Sequence, residues 1–153
     1  MGVQLTDEER NHFLETGHTL IISTIRKSGE PFMVPVWYLW RDGAFHVITF
    51  ANSPKVQHLR RDPRACCMVE DGEKWIDLRA VVANCDAFIL DDPGLVEAIG
   101  LELQRKYADY RAESTQAPAA TKQHYARSKV VLKLIPLPGE VRSWFNRKLR
   151  MPK

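Results

Sequence analysis

The chain has 153 residues, 44% hydrophobic and 27% charged, which reads as a single domain over 1–153 with enough core to need no covalent staples. A formal charge of +3 suits an anionic small ligand but falls short of the concentrated positive field of a nucleic-acid binder, and no run reaches the roughly eighteen apolar residues of a membrane span. Acids in MGVQLTDEER, where a signal peptide would be basic and then apolar, and three cysteines without framework or metal-ligand spacing predict a cytoplasmic, metal-free protein.

The first predicted helix covers residues 6–16. Thr6 and Glu9 form a T-x-x-E capping box, Phe13 and Leu14 supply an apolar edge, and Gly17 ends it. Four β-branched or aromatic runs follow: TLIISTIR (19–26), PFMVPVWYLW (31–40), AFHVITFA (44–51) and RACCMVE (64–70). Ser28-Gly29, Asp42-Gly43 and Asp71-Gly72 mark turns around them. Between the third and fourth runs, SPKVQHLRRDP (53–63) reads as a short helix, with Ser53 as N-cap, Pro54 at the first helical position and Asp62-Pro63 as its stop. KWIDLRAVVANCDAFIL (74–90) is a long predicted strand. Asp92 and Pro93 open the longest helix, to about Arg111, whose buried stripe is Leu95, Ile99, Leu103 and Tyr107. A polar, small-residue loop over 112–122 precedes a last strand, KVVLKLIPL (129–137), and a tail with Trp144 and Phe145 in basic surroundings. About six strands and three helices, in runs rather than in β-α alternation, predict an α+β fold whose antiparallel sheet closes toward a barrel to remove its edges.

The segment Thr49 to Arg61 carries the chemistry. A strand ends at Thr49 and a helix starts at Ser53, so free backbone N–H groups and the helix dipole offer a site to an anion. Lys55 stands in the first turn, where the dipole disfavours a cation; a phosphate would satisfy Thr49, Ser53, the amides and Lys55 together. On the residues alone, a plainer reading stands beside this one: a solvated Lys55 and a Ser53 that only caps. Pro35 interrupts an otherwise strong strand and therefore belongs on an edge or a bulge. With Val36 and Trp37, and with Met33 and Tyr38 nearby, it offers a flat apolar patch for a planar ring, or for ordinary edge-strand packing.

Other candidates read as structural. The histidines at 12, 18, 46, 58 and 124 have no ligand or triad spacing. Cys66 and Cys67 point to opposite faces of a strand, so at most one is accessible. Arg60, Arg61 and Arg64 form a solvated basic patch, or meet an acidic cofactor tail.

Three segments, G-x-P-x-x-V-P-V-W (29–37), I-T-F-A-N-S-P-K (48–55) and L-R-R-D-P-R-A (59–65), together resemble the pyridoxamine phosphate oxidase-like superfamily of split β-barrel flavoproteins, most closely its flavin/deazaflavin oxidoreductase branch. KWIDLRAVVANCDAF (74–88) and P-x-P-G-x-V-x-S-W (136–144) continue the likeness, from about residue 18 to 146. The resemblance implies an antiparallel split β-barrel with flanking helices, and a homodimer with a cofactor in a groove between subunits. It implies that Thr49, Ser53 and Lys55, with Pro54 between them, hold the cofactor phosphate, and that the ring lies along Val34, Pro35, Val36 and Trp37 with Ile48 close by. Trp75, Leu78 and Trp144 of the partner are expected to close the pocket. The phosphate oxidases place basic residues where this chain has Phe32, Trp37 and Pro54, and the tail lacks their Arg-x-His pattern, so vitamin B6 oxidation is not expected. Coenzyme F-420, a deazaflavin, is the expected cofactor, with FMN as the alternative. The expected activity is hydride transfer to or from a small organic substrate, with Tyr38 or solvent as the proton source. The alternatives are an FMN-dependent oxidase or reductase and a non-catalytic flavin, deazaflavin or haem-binding module.

Overall fold

Thr6 opens the first helix as expected: its hydroxyl accepts from the Glu9 amide at 3.2 Å while the Glu9 carboxylate accepts from the Thr6 amide at 3.4 Å. In this computed structural model, residues 2–111 and 128–149 are described; the loop predicted over 112–122 and His124 lie outside them. The elements are α1 (Asp7–Thr16), β1 (Leu20–Ile25), β2 (Pro31–Val36), β3 (Leu39–Arg41), β4 (Ala44–Phe50), α2 (Pro54–Arg61), β5 (Arg64–Asp71), β6 (Arg79–Leu90), α3 (Pro93–Lys106) and β7 (Lys129–Phe145). All strand pairs are antiparallel, in one sheet of order β2-β1-β5-β6-β7-β4-β3. No helix among the described residues is long and apolar enough to cross a membrane.

The outermost strands, β2 and β3, are joined by Trp37 and Tyr38 alone. From Val36 to Leu39 is three peptide steps, at most about 11 Å, so the sheet must curl until its two edges nearly meet at one corner. No ladder joins β2 to β3: the edges approach without pairing, and the barrel is split, not closed. Alternate residues face inward. Leu20, Ile22, Phe45, Val47, Cys67, Val69, Val81, Leu132 and Leu134 fill the interior, and Val56 and Leu59 of α2 plug one end. α3 lies outside the barrel over β4 and β7, where Ile99 and Val131 are fully buried but separate from the interior cluster.

The last helix stops at Lys106, short of the expected Arg111, with Tyr107 as its C-cap and a separate 3-10 turn over Ala108–Tyr110, and the strands depart from the sequence reading in three places. The run 31–40 is two strands, because Tyr38 gives its backbone to α3 instead of to a ladder: its N–H donates to the Tyr107 hydroxyl at 3.1 Å, and its carbonyl accepts from Lys106 Nζ at 2.9 Å. The run 74–90 starts with a single 3-10 turn, Trp75–Asp77, tied down by Asn146 Nδ2 on the Trp75 carbonyl at 2.7 Å, and only then becomes β6. The last strand continues past 137 to Phe145. Its Pro-Leu-Pro-Gly signal is absorbed by an irregularity in the β6–β7 register, where Cys85 pairs Pro136 but Ala83 pairs Val141, with Gly139 at φ +76°. Seven strands therefore stand where about six were expected.

Candidate functional site

The split has two walls, and the strand registers show which backbone groups line them. The β1–β2 hairpin closes with the Arg26 amide donating to the Glu30 carbonyl at 2.9 Å. Bonded and non-bonded pairs alternate in an antiparallel ladder, so Pro31, Met33 and Pro35, opposite Ile25, Ser23 and Ile21, turn their backbone groups away from β1 toward the free edge. Pro35 thus occupies the edge position expected of it, where its missing N–H breaks no ladder bond.

On the other wall, the β3–β4 hairpin turns through Asp42 (φ 53°) and Gly43 (φ 71°), the two positive-φ residues of a two-residue type I′ turn. Arg41 and Ala44 flank it as a bonded pair, so His46 and Ile48 also turn their backbones to the β3 side. His46 meets Leu39 there, whereas β3 ends before it reaches Ile48. At Ile48, therefore, β4 turns its backbone to the side that β3 no longer covers, without a ladder partner there among the described residues. Val34 and Val36 tuck their side chains toward the interior, and Met33, Pro35 and Trp37 face out, with Met33 59% and Trp37 38% exposed. An open groove of about 360 Å3 runs along Thr19, Pro35, Val36 and Trp37.

Thr49 and Ser53 stand at the foot of the slot. Thr49 follows Phe45 and Val47 on the inward face and is 8% exposed, and its Oγ1 lies 3.4 Å from Ser53 Oγ. Ser53 accepts at its carbonyl from the Val56 and Gln57 amides at 3.1 Å, but its side chain makes no cap bond. Its hydroxyl is thus left to Thr49 and to whatever sits before the helix. Pro54 fills the first helical position, so the Lys55 amide is the first donor of the helix. The Lys55 side chain is half-buried and has no hydrogen bond or ion pair with any described residue; burial pushes its pKa down. A desolvated ammonium without a counter-charge is costly unless something anionic meets it. Of the neighbouring arginines, Arg64 is committed to Asp62 at 2.7 Å.

The corner joining the two walls is held from α3. Trp37 stacks on Tyr107 with centroids 4.3 Å apart and planes 5° from parallel. The Tyr107 hydroxyl accepts from the Tyr38 amide and donates to the His18 carbonyl at 2.7 Å. Lys106 Nζ also sits 3.8 Å from the centre of the Tyr38 ring, and burial lowers its pKa to about 8. His18 stands edge-on to Trp37 at 6.4 Å and to Tyr107 at 5.5 Å. Tyr38 is not a proton source: it is 0% exposed, its hydroxyl donates to the Leu14 carbonyl at 2.6 Å, and burial raises its pKa far above the usual phenol range.

The structure therefore places Val34, Pro35, Val36 and Trp37 on one edge strand and its exit, and Ile48, Thr49, Ser53, Pro54 and Lys55 from the end of β4 to the start of α2; Trp37 and Ile48 border one recess, and Thr49 and Ser53 are in contact. Trp75, Leu78 and Trp144 gather elsewhere, at the start of β6 and the end of β7, where Trp144 pairs with Ala80 and the Asn146 amide donates to the Leu78 carbonyl at 3.0 Å. Trp75 is 61% and Trp144 37% exposed. Sequence reasoning missed Lys106, Tyr107 and His18 as supports of Trp37. Tyr107 was visible only as one more apolar position of the helix stripe, and no local pattern announces what its hydroxyl holds.

A family model described as pyridoxamine 5'-phosphate oxidase matches residues 6–137. No curated protein sequence matches the chain. Among solved structures, a conserved hypothetical protein, Rv2991 of Mycobacterium tuberculosis, is similar over 99% of this chain and 91% of its own, with 27% identity and a TM-score of 0.81. An F420 reductase is similar over 83% of this chain and 92% of its own, with 20% identity and a TM-score of 0.65. HutZ, a haem storage protein of Vibrio cholerae, is similar over 92% of this chain and 97% of its own, with 13% identity and a TM-score of 0.67. The last two likenesses bear on the fold alone.

Proposed function

The chain belongs to the pyridoxamine 5'-phosphate oxidase family, and from that premise we propose that it is an oxidoreductase that uses coenzyme F-420, or FMN, to transfer hydride to or from a small organic substrate. The observation that carries the reading is Lys55: a half-buried cation without a partner among the described residues, at a helix start where the Ser53 hydroxyl is also uncommitted to the helix. A phosphate there meets the Lys55 ammonium and amide and the Ser53 and Thr49 hydroxyls, with Pro54 shaping the first turn. A planar ring would be held along Pro35, Val36 and Trp37 of the β2 edge, with the Ile48 backbone as the facing group.

When bound, a flavin or deazaflavin supplies the two-electron chemistry that no side chain here provides. The Thr49, Ser53 and Lys55 groups would anchor its phosphate, and the apolar side chains of Pro35, Val36 and Trp37 would orient the ring and keep water from one face. The proton that balances the hydride comes from solvent, since Tyr38 is sealed.

A homodimer belongs to the same proposal. The slot is open on its outer side, and the exposed Trp75 and Trp144, with Leu78, offer an apolar wall that a second copy would bring to it. Three unpaired cysteines suit a cytoplasmic setting. The test is the absorption spectrum of the protein purified from its own host, followed by titration with F-420, FMN and haemin. Tight binding of F-420 or FMN, with reoxidation of the reduced cofactor by quinones or enones, is expected. Binding of haemin alone, or cofactor binding with no turnover of any acceptor, would replace the enzyme with a binding module.

A further inference from the structure

Beside the slot, on the outer face of the sheet, α3 leaves a second recess of about 160 Å3. Its apolar lining is Trp37, Ile48 and Leu103, and its polar lining is Gln104, Arg111 and Lys129. We propose that this recess binds the second reactant, and that this reactant is an aromatic or conjugated molecule carrying a single carboxylate-like anion. The proposal rests on the slot being the cofactor site and adds to it the chemical class of the substrate.

Position is the first argument. Ile48 shows its backbone to the slot and its side chain to the recess, and Trp37 borders both the groove along β2 and the recess. A molecule in the recess is therefore separated from a ring in the slot by no more than one residue. Shape is the second. The Trp37 ring is held rigidly by its parallel stack on Tyr107, and Gly100 leaves the helix surface bare above Ile48: a Cβ there would sit 3.5 Å from Ile48 Cδ1. A planar apolar body fits such walls better than a flexible polar one.

Charge is the third. The Arg111 and Lys129 side chains have no hydrogen bond or ion pair with any described residue, and no carboxylate among the described residues lines this recess. Of the nearby acids, Glu102 is held by Arg41 at 3.1 Å. Glu97 borders a neighbouring hollow that shares Ile48, Gln104 and Lys129, which leaves the Trp37–Arg111 end to an anion. Two cations and a carboxamide beside an apolar floor match an aromatic acid in both halves.

Calorimetric titration of the full chain with 2-naphthoate and with its uncharged analogue 2-naphthamide tests this directly. The expected result is naphthoate binding about tenfold tighter than naphthamide, the scale of two partly exposed charge pairs. Arg111→Gln/Lys129→Gln should abolish that preference while leaving FMN affinity unchanged. Naphthoate should still bind one per chain when FMN is saturating. Equal affinity for the two probes, a preference that survives the double substitution, or displacement of naphthoate by FMN would each overturn the proposal. A chain that keeps the naphthoate preference but takes up neither FMN nor F-420 would refute the slot reading instead.

Discussion

Lys55 gives the sharpest test, because stability and binding should move in opposite directions when it is replaced. In Lys55→Met the aliphatic stem is kept and the half-buried ammonium, without a partner among the described residues, is removed. Without ligand the variant should be more stable by about 0.5–1 kcal/mol, the usual return when a strained functional residue is relaxed, which for a domain of this size raises Tm by about 1–4 °C. The pH dependence has a definite sign. Burial lowers the folded-state pKa of Lys55 below its ordinary 10.5, so between the two values the unfolded chain binds more protons. The wild type is therefore weakest relative to the variant below the folded pKa and recovers as the pH approaches 10.5.

Binding should go the other way. Loss of a charge-assisted contact to phosphate costs about 1–3 kcal/mol, roughly five- to 150-fold in FMN affinity. Riboflavin, which carries the same ring without the phosphate, should lose less than about twofold, because none of that contact is available to it. Fluorescence titration of both ligands, beside thermal unfolding of the unliganded proteins, gives the whole comparison. Equal losses for FMN and riboflavin, or no loss for either, would refute the phosphate site. A destabilised variant would mean that Lys55 already has a partner within the chain.

The remaining predictions concern the corner that holds Trp37. Tyr38→Phe removes the donor to the buried Leu14 carbonyl and should cost about 1–3 kcal/mol in urea unfolding without altering any pH–rate profile; a lost acidic or basic limb would restore Tyr38 as a proton donor. Gly17→Ala should be comparably destabilising, by about 1–3 kcal/mol, because a Cβ there runs into the Tyr38 hydroxyl and Val69; unchanged unfolding would show that this packing yields. Lys106, lowered from 10.5 to about 8 by burial, should make the wild type gain stability over Lys106→Met as pH rises from about 8 toward 10.5, by about 1 kcal/mol after solvent screening. A flat difference across that window would place the ammonium in water.

What the sequence disclosed, and what it withheld, follows from the range of the interactions concerned. The capping box at Thr6, the N-cap and proline that open α2, and the turn at Asp42-Gly43 are each contained within a few residues, and each stands where the sequence put it. The edge position of Pro35 was also legible, because a missing N–H is a property of one residue. The break at Trp37–Tyr38 was not. The segment has every mark of a strand, and what interrupts it comes from Tyr107 and Lys106, about seventy residues away. The extension of β7 was hidden for a similar reason, since only the register against β6 shows that a Pro-Leu-Pro-Gly signal can sit inside a strand pair as an irregularity. Thr49, Ser53 and Lys55, and the patch at Pro35 to Trp37, were legible as candidates from strand-to-helix and proline chemistry, while Val34, Ile48 and the roles of all of them came through family resemblance; the registers show which backbone groups face the free edges. Trp75, Leu78 and Trp144 do not meet them within one chain.

The slot also resolves a difficulty that the edge strands raise. An unpaired sheet edge is a template for unwanted pairing, and curling the sheet until its edges nearly meet invites them to zip shut. On β2, two of the three residues facing the free edge, Pro31 and Pro35, have no N–H to give. That leaves Met33 as the one donor of this wall, against carbonyls at all three positions. On the other side β3 is only three residues long, and the reason lies in Tyr38, whose N–H and carbonyl are both taken by α3. Proline chemistry on one wall and side-chain capture at the corner thus hold open a gap that backbone hydrogen bonding would otherwise close. An acceptor-rich wall is poorly matched to another strand, which presents donors and acceptors in equal number, so the gap resists zipping shut. The features that keep the barrel split thus leave one N–H, that of Met33, among the carbonyls that this wall turns to the gap.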